Sequence, residues 1–320
     1  MRRAERHRLR GRLRRATSGN VTVLICTAFV VMLAALAVGV SLLPLADPTS
    51  QSALVRLKPP SIDHVLGTDR LGRDILSRVL WGARVSLSVG VGVVIVSGGL
   101  GTVLGVVSGY SRGWPSEIVL RLTDIFLAFP PLILAMVTVT VLGNNLFTVV
   151  LAISVGVVPR FARVTRGTIL SIREREYVEA ARALGASAAR IIWSHVLLNA
   201  VDPLIVLCTL LIPGAIVTEA LLSFLGLGIA EPTPTWGNMI QGGQIVMREA
   251  PWLTFFPAAA IVFTVLAFNL LGDAIRDALD PTVREGGAAP IPSVDATLPT
   301  PAPRHVAPPP TRMRDPSAVA

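Results

Sequence analysis

Apolar residues in this chain gather in long uninterrupted blocks, and the polar residues collect between those blocks instead of alternating with them. Val21 to Leu43 carries no charge; at about 1.5 Å per residue such a block measures roughly 34 Å as a helix, enough to cross the hydrocarbon of a bilayer. A signal-peptide core is usually about 7 to 15 residues long, so a retained anchor is the better reading. A second block runs from about Arg84 to Gly109 and a third from about Ile118 to Leu142, bent at Pro130-Pro131. A fourth runs from Leu146 to about Val164, ending raggedly at Pro159, Arg160 and Arg163. A fifth begins at Asp202-Pro203, read as an N-cap and a first helical proline, and reaches about Gly226. The sixth is Leu253 to Leu271. The pattern predicts an all-α polytopic membrane protein with six transmembrane helices.

The second block holds Gly90, Gly92, Gly98, Gly99, Gly101 and Gly105. Each glycine costs about 1 kcal/mol relative to alanine in a soluble helix. In a membrane glycines let helices approach closely, and Gly101, Gly105 and Gly109 form a ridge of small residues.

Composition agrees. Charged residues are 15% of the chain, against roughly 25% in soluble domains. The net charge of +9 is carried mostly by arginine, and with no soluble domain to hold a basic face it argues topology, not nucleic acid. Residues 1–20 hold eight arginines and Arg160 to Arg190 hold seven, whereas the segment between the fifth and sixth blocks has only Arg248. The positive-inside rule then puts both termini and the 169–200 loop in the cytoplasm. The external loop, 44–83, mixes Arg56, Lys58, Arg70, Arg73 and Arg78 with Asp47, Asp63, Asp69 and Asp74. Residues 84–281 then form a five-helix core, and 285–320, rich in Pro and Ala, read as a disordered tail.

Within the 169–200 loop lies a polar, alanine-rich helix around Glu176 to Ala186. Tyr177, Ala181, Leu184, Ala188 and Ile191 share one stripe, with Gly185 as a bend. Surface-lying amphipathic helices carry bulky apolar faces; small side chains suit a protein groove, so docking is favoured over lipid.

Glu179-Ala180-Ala181, three residues, then Gly185 resembles the cytoplasmic signature of permease subunits of binding-protein-dependent ABC importers. His64 to Asp74, Ala128-Phe129-Pro130, Leu222 to Gly228, Pro234 to Met239 and Ala267 to Asp273 resemble, in order, the dipeptide/oligopeptide/nickel branch and its C-type subunit. The family usually closes its signature with Leu-Pro where this chain has Leu197-Leu198. The resemblance implies a type I importer permease fold in the bacterial inner membrane. It also implies that Glu179, Ala180, Ala181, Arg182, Leu184 and Gly185 insert into an ATPase cleft. Implied partners are a related second permease subunit, two ATPase subunits or domains that bind ATP and Mg, and an extracytoplasmic substrate-binding protein. The expected cargo is di- or oligopeptides, with nickel or another small solute as the alternative.

Other candidates come from chemistry and position. Glu219, an acid inside an apolar block, either serves the pathway or bonds a neighbouring span. Arg121 and Asp124, three apart, are expected to pair with each other. Asp69, Arg73 and Asp74 should fix a Gly-rich external turn facing the binding protein, and the loop with Trp236 and Asn238 is a second such surface. Scattered ligands around His64 do not make a metal site. No Gly-x-x-x-x-Gly-Lys-[Ser/Thr] loop occurs, so the chain is not expected to hydrolyse ATP or hold a cofactor itself. A secondary transporter is the rival reading; it would place coupling acids or broken helices in repeated halves, which are not seen here.

Overall fold

The computed structural model describes Val21 and residues 23–279; the basic stretch 1–20 and the tail 285–320 lie outside the described residues. The chain is helical: α1 (Val23–Leu42), α2 (Ile75–Tyr110), α3 (Trp114–Ala128), α4 (Pro131–Leu142), α5 (Leu146–Arg173), α6 (Glu176–Ala183), α7 (Ala188–Ile191), α8 (Leu197–Phe224), α9 (Trp236–Gln244) and α10 (Trp252–Leu279). Among the described residues, five helices are long and apolar enough to cross a membrane, or six where α3 and α4, bent by 94°, count as one span. The bend falls where expected, because Pro130 and Pro131 cannot continue the hydrogen-bond ladder of α3.

Several boundaries differ from the hydropathy blocks. α2 begins at Ile75, nine residues before Arg84, because the Asp74 carboxylate accepts the Ser77 N–H at 2.9 Å and caps a helix that continues beyond the bilayer. Hydropathy registers the lipid-facing part of a helix, and its 36 residues span about 54 Å. Likewise α5 runs through Pro159 to Arg173 and α10 through to Leu279, their last turns being polar. Asp202 is no cap. It sits with Pro203 inside α8, which starts at Leu197 and joins α7 through a π turn, Ile192–Val196. Membrane helices tolerate such prolines where neighbours satisfy the freed carbonyls.

The centre of the bundle is a cluster on α2, α4, α5 and α8, with Val89, Val93, Ala135, Ile153, Phe161 and Leu222 buried. Apolar burial does not hold spans together against lipid tails, so close packing must. The glycine ridge supplies it. A Cβ built on Gly101 would lie 2.4 Å from Phe161 Cβ, and one on Gly105 2.4 Å from Thr165 Cβ. One on Gly109 would lie 3.0 Å from Ile169 Cβ. Only glycine allows α2 and α5 this separation, and the steps of four on α2 match Phe161, Thr165 and Ile169 on α5.

Candidate functional site

The predicted docking segment forms a short knob at the end of α5. α6 carries Glu176 and Glu179 in its first turn and Arg182 in its last, the order that complements a helix dipole. It closes on Gly185, at φ +82, with Ala186 N–H donating to Ala181 O at 3.0 Å and Gly185 N–H to Arg182 O at 2.9 Å. This left-handed helix end needs glycine. α7 restarts with the Ser187 hydroxyl accepting from Arg190 N–H.

The knob is pinned from beneath. Val178 and Ile191 are buried with Ile169, Ile172 and Val196, and Tyr110 packs against the same cluster. The predicted stripe therefore does not survive as one face: Ile191 points inward, Val178 replaces Tyr177 as the anchor, and Tyr177 is half-exposed. For Ile191 the reason is the reversal at Gly185, which resets the angular phase between α6 and α7; within α6 it is Val178 that faces the apolar cluster. The signature residues crown the other side. Glu179, Ala180, Arg182 and Gly185 are exposed, Ala181 is partly so, and Leu184 is 89% exposed. The Arg182 guanidinium lies 6.0 Å from the Tyr110 ring centre. The knob is thus a polar crown on an apolar root, with one large side chain, Leu184, standing free.

At the opposite end, the 44–74 segment is tied down by an ion network. Asp69 accepts from the Leu71 and Arg73 amides at 2.8 and 2.9 Å, and from Arg73 Nε at 2.6 Å. Arg73 Nη1 and Nη2 donate to the two oxygens of Glu231 at 3.1 and 3.3 Å. Arg78, 1% exposed, stands 3.5 Å from Glu231 and 3.8 Å from Asp69 and donates to Pro48 O. Burial opposes the charge on Arg73, but the hydrogen bonds and charges of Glu231 and Asp69 outweigh it and raise its pKa above the ordinary arginine value. A cavity of about 320 Å³ opens over this network. His64 Nδ1 lies 3.2 Å from the Asp74 carboxylate that caps α2.

The expected surface roles need correction here. Asp69 and Arg73 are mostly buried, and Asp74 is taken up by its cap. Trp236 is 1% exposed and donates to Val79 O at 3.0 Å. Asn238 is 6% exposed, closing a reciprocal cap with Thr235 and donating to Thr233 O at 2.8 Å. Trp236 thus fastens α9 onto α2 and Asn238 closes the start of α9; neither faces outward, because the indole N–H and the amide find backbone acceptors inside. Arg78 and Glu231 are not among the residues that sequence reasoning singles out. Two buried arginines near one aspartate demand a second acid, and that imbalance is the available signal.

Arg121 and Asp124 do not pair with each other. Arg121 bonds Glu117 one turn back, at 3.0 Å, and Asp124 bonds Arg163 of α5 at 2.9 Å. An (i, i+4) partner faces Arg121 better than its (i, i+3) neighbour. Glu219 is fully buried between spans, accepting from Ser223 Oγ at 2.7 Å and from Ser86 Oγ of α2 at 3.2 Å.

Residues 101–285 match the family described as binding-protein-dependent transport system inner membrane component. The chain is 44% identical over 225 residues to the glutathione transport system permease protein GsiD of Pectobacterium atrosepticum, covering 70% of this chain and 75% of that protein. The GsiD protein of Escherichia coli O6:K15:H31 is 44% identical over 225 residues, with 74% of its length covered. Among solved structures, an inward-facing MetNI methionine ABC transporter chain superposes with a TM-score of 0.51 at 21% identity, over 64% of this chain and 98% of that one. That likeness bears on the fold alone.

Proposed function

The chain belongs to the inner-membrane components of binding-protein-dependent transport systems, and from there we propose that it forms half of the translocation pathway for di- or oligopeptides. It is an ABC importer permease, with ATP hydrolysed on a separate subunit. The second half would come from a homologous permease subunit, and two ATPase subunits or domains would bind ATP and Mg. An extracytoplasmic binding protein delivers the substrate. Short peptides are the favoured cargo because the similar permeases are named for glutathione, itself a tripeptide. Both termini and the α6–α7 knob lie on the cytoplasmic side, as the arginine bias supports.

The observation that carries the mechanism is the knob itself: an exposed crown of Glu179, Arg182 and Leu184 rooted through Val178 and Ile191 on the end of α5. When the ATPases close on ATP, a gripped crown moves with them, and the rigid root passes the displacement to the spans. Substituting Glu179→Arg or Gly185→Leu should abolish coupled uptake in membrane vesicles while leaving the protein at normal levels in the membrane. Gly185 has φ +82, and no atom lies within 4 Å of where a Cβ would stand, so the leucine acts through backbone strain at the bend, not through a clash. Wild-type uptake by either variant at normal abundance would refute the role.

A further inference from the structure

Between α2, α3 and α5 two cavities follow one another along the helices, a polar one at the end of the bundle that carries the knob and an apolar one nearer its middle. The polar end is a basin of about 530 Å³ reached by Arg112, Arg166 and Arg173. It adjoins a second space of about 310 Å³, lined by Tyr110, Arg112, Arg173 and Arg182. Arg166 is partly buried and donates to Ser116 Oγ at 3.3 Å; Arg173 donates to Gly109 O at 3.2 Å. Arg112 is exposed and has no hydrogen bond or ion pair among the described residues. Two acids stand near. Glu117 lines the basin but is paired with Arg121 at 3.0 Å, and Glu174 is 4.0 Å from Arg173. The guanidiniums outnumber them, so the basin carries uncompensated positive charge.

Further along the same three helices lies an apolar slot of about 210 Å³, lined by Leu104, Val119, Leu122, Phe126, Val155 and Val158. Ser108 of the basin and Leu104 of the slot are one turn apart on α2. On α5, Arg166 and Val158 are about 12 Å apart along the axis. Trp114, on the basin's rim, is 75% exposed, and an indole at that height is typical of the headgroup level.

We propose that these two cavities together bind one anionic phospholipid, its phosphate among Arg112, Arg166 and Arg173 and one acyl chain in the slot. The inference rests on the proposed placement of this end of the bundle at the cytoplasmic face. Arginine forks match phosphate oxygens, and basic pockets between spans on that side select anionic headgroups. A free phosphate would use the basin and leave the slot unused. A neutral lipid would do the reverse. Only a molecule with both parts uses both cavities.

The test uses the complete transporter in phosphatidylcholine nanodiscs titrated with phosphatidylglycerol, with bound lipid read by native mass spectrometry. The expected result is one phosphatidylglycerol held per copy of this chain. Arg112→Gln with Arg166→Gln should weaken it roughly twentyfold, on the order of fivefold for each arginine. Leu122→Trp, at a half-exposed wall of the slot, should weaken it with the arginines intact. Equal retention of phosphatidylcholine, or retention unchanged in both variants, overturns the proposal. So does displacement by glycerol phosphate as effective as by the lipid, which would mark a soluble-phosphate site. Labelling of Ser111→Cys by an impermeant maleimide checks sidedness separately: reaction from the outer face would sink the cytoplasmic placement, whatever the lipid result.

Discussion

Arg73 and Glu231 stand 158 positions apart in sequence and meet through two parallel hydrogen bonds of 3.1 and 3.3 Å. The pair locks the segment before α2 to the loop before α9. The two acids of the network differ in standing, since the Asp69 side chain is 12% exposed whereas the Glu231 side chain is 49% exposed. Asp69→Asn should therefore cost about 3 kcal/mol, because it strands buried Arg73 and Arg78. Glu231→Gln should cost about 1 kcal/mol or less, as the glutamate is half-exposed and water screens its side of the pair. Thermal unfolding in detergent checks the ranking; equal losses would mean that the network is not organised around Asp69.

The α2–α5 seam makes a second prediction. Gly105→Ala drives a methyl group toward Thr165 Cβ and the Ala162 carbonyl, 2.4 and 2.8 Å from its ideal position, and should destabilise by about 1 to 3 kcal/mol. Gly99→Ala is the control: nothing lies within 4 Å of its Cβ, so it should be neutral or slightly stabilising. Apparent melting temperatures of the two variants decide it.

Glu219 bridges spans without facing open space. Glu219→Gln keeps one acceptor oxygen for a serine hydroxyl and offers the other serine an amide N–H to accept, and should leave uptake per folded transporter within about twofold. Glu219→Leu removes the acceptor of both hydroxyls, leaving Ser223 only its contact with Thr235, and should cost about 2 kcal/mol. A large loss of uptake in the glutamine variant, with normal thermal stability, would instead assign the carboxylate a part in the pathway.

Leu184 separates partner binding from folding. At 89% exposure it contributes little to this chain's own stability, so Leu184→Asp should leave the melting temperature unchanged and reduce ATPase copurification at least about tenfold, the scale of a buried hot-spot side chain. Val178→Asp attacks the root, fully buried among Ile169, Ile172 and Ile191. It should expose the knob to protease while the spans remain inserted.

Spans, the proline bend and the glycine ridge were legible in the sequence because each is local: a run of apolar residues, a missing N–H, a step of four. The bend at Gly185 was legible for the same reason. The ends of α2 and α8 were not, since the Asp74 cap and the π turn before Leu197 act beyond the reach of hydropathy. Partnerships at a distance were the hardest. Asp124 chose Arg163 of another helix over Arg121, and Trp236 spent its N–H on Val79. The exposed loop assigned to that tryptophan proved to be a buried fastener, because an indole is stabilised more by filling a gap between helices than by facing water.

At Gly101 and Gly105 the α2 backbone sits directly against Phe161, Thr165 and the backbone of α5, with no α2 side chain between the helices. The two helices must therefore travel together as a single beam. One end of that beam is the root of the knob and the other is the Asp69–Arg73 network, so under the proposed coupling a push on the knob would be carried along α2 and α5 to the far end of the bundle. The 94° break between α3 and α4 lies outside that beam.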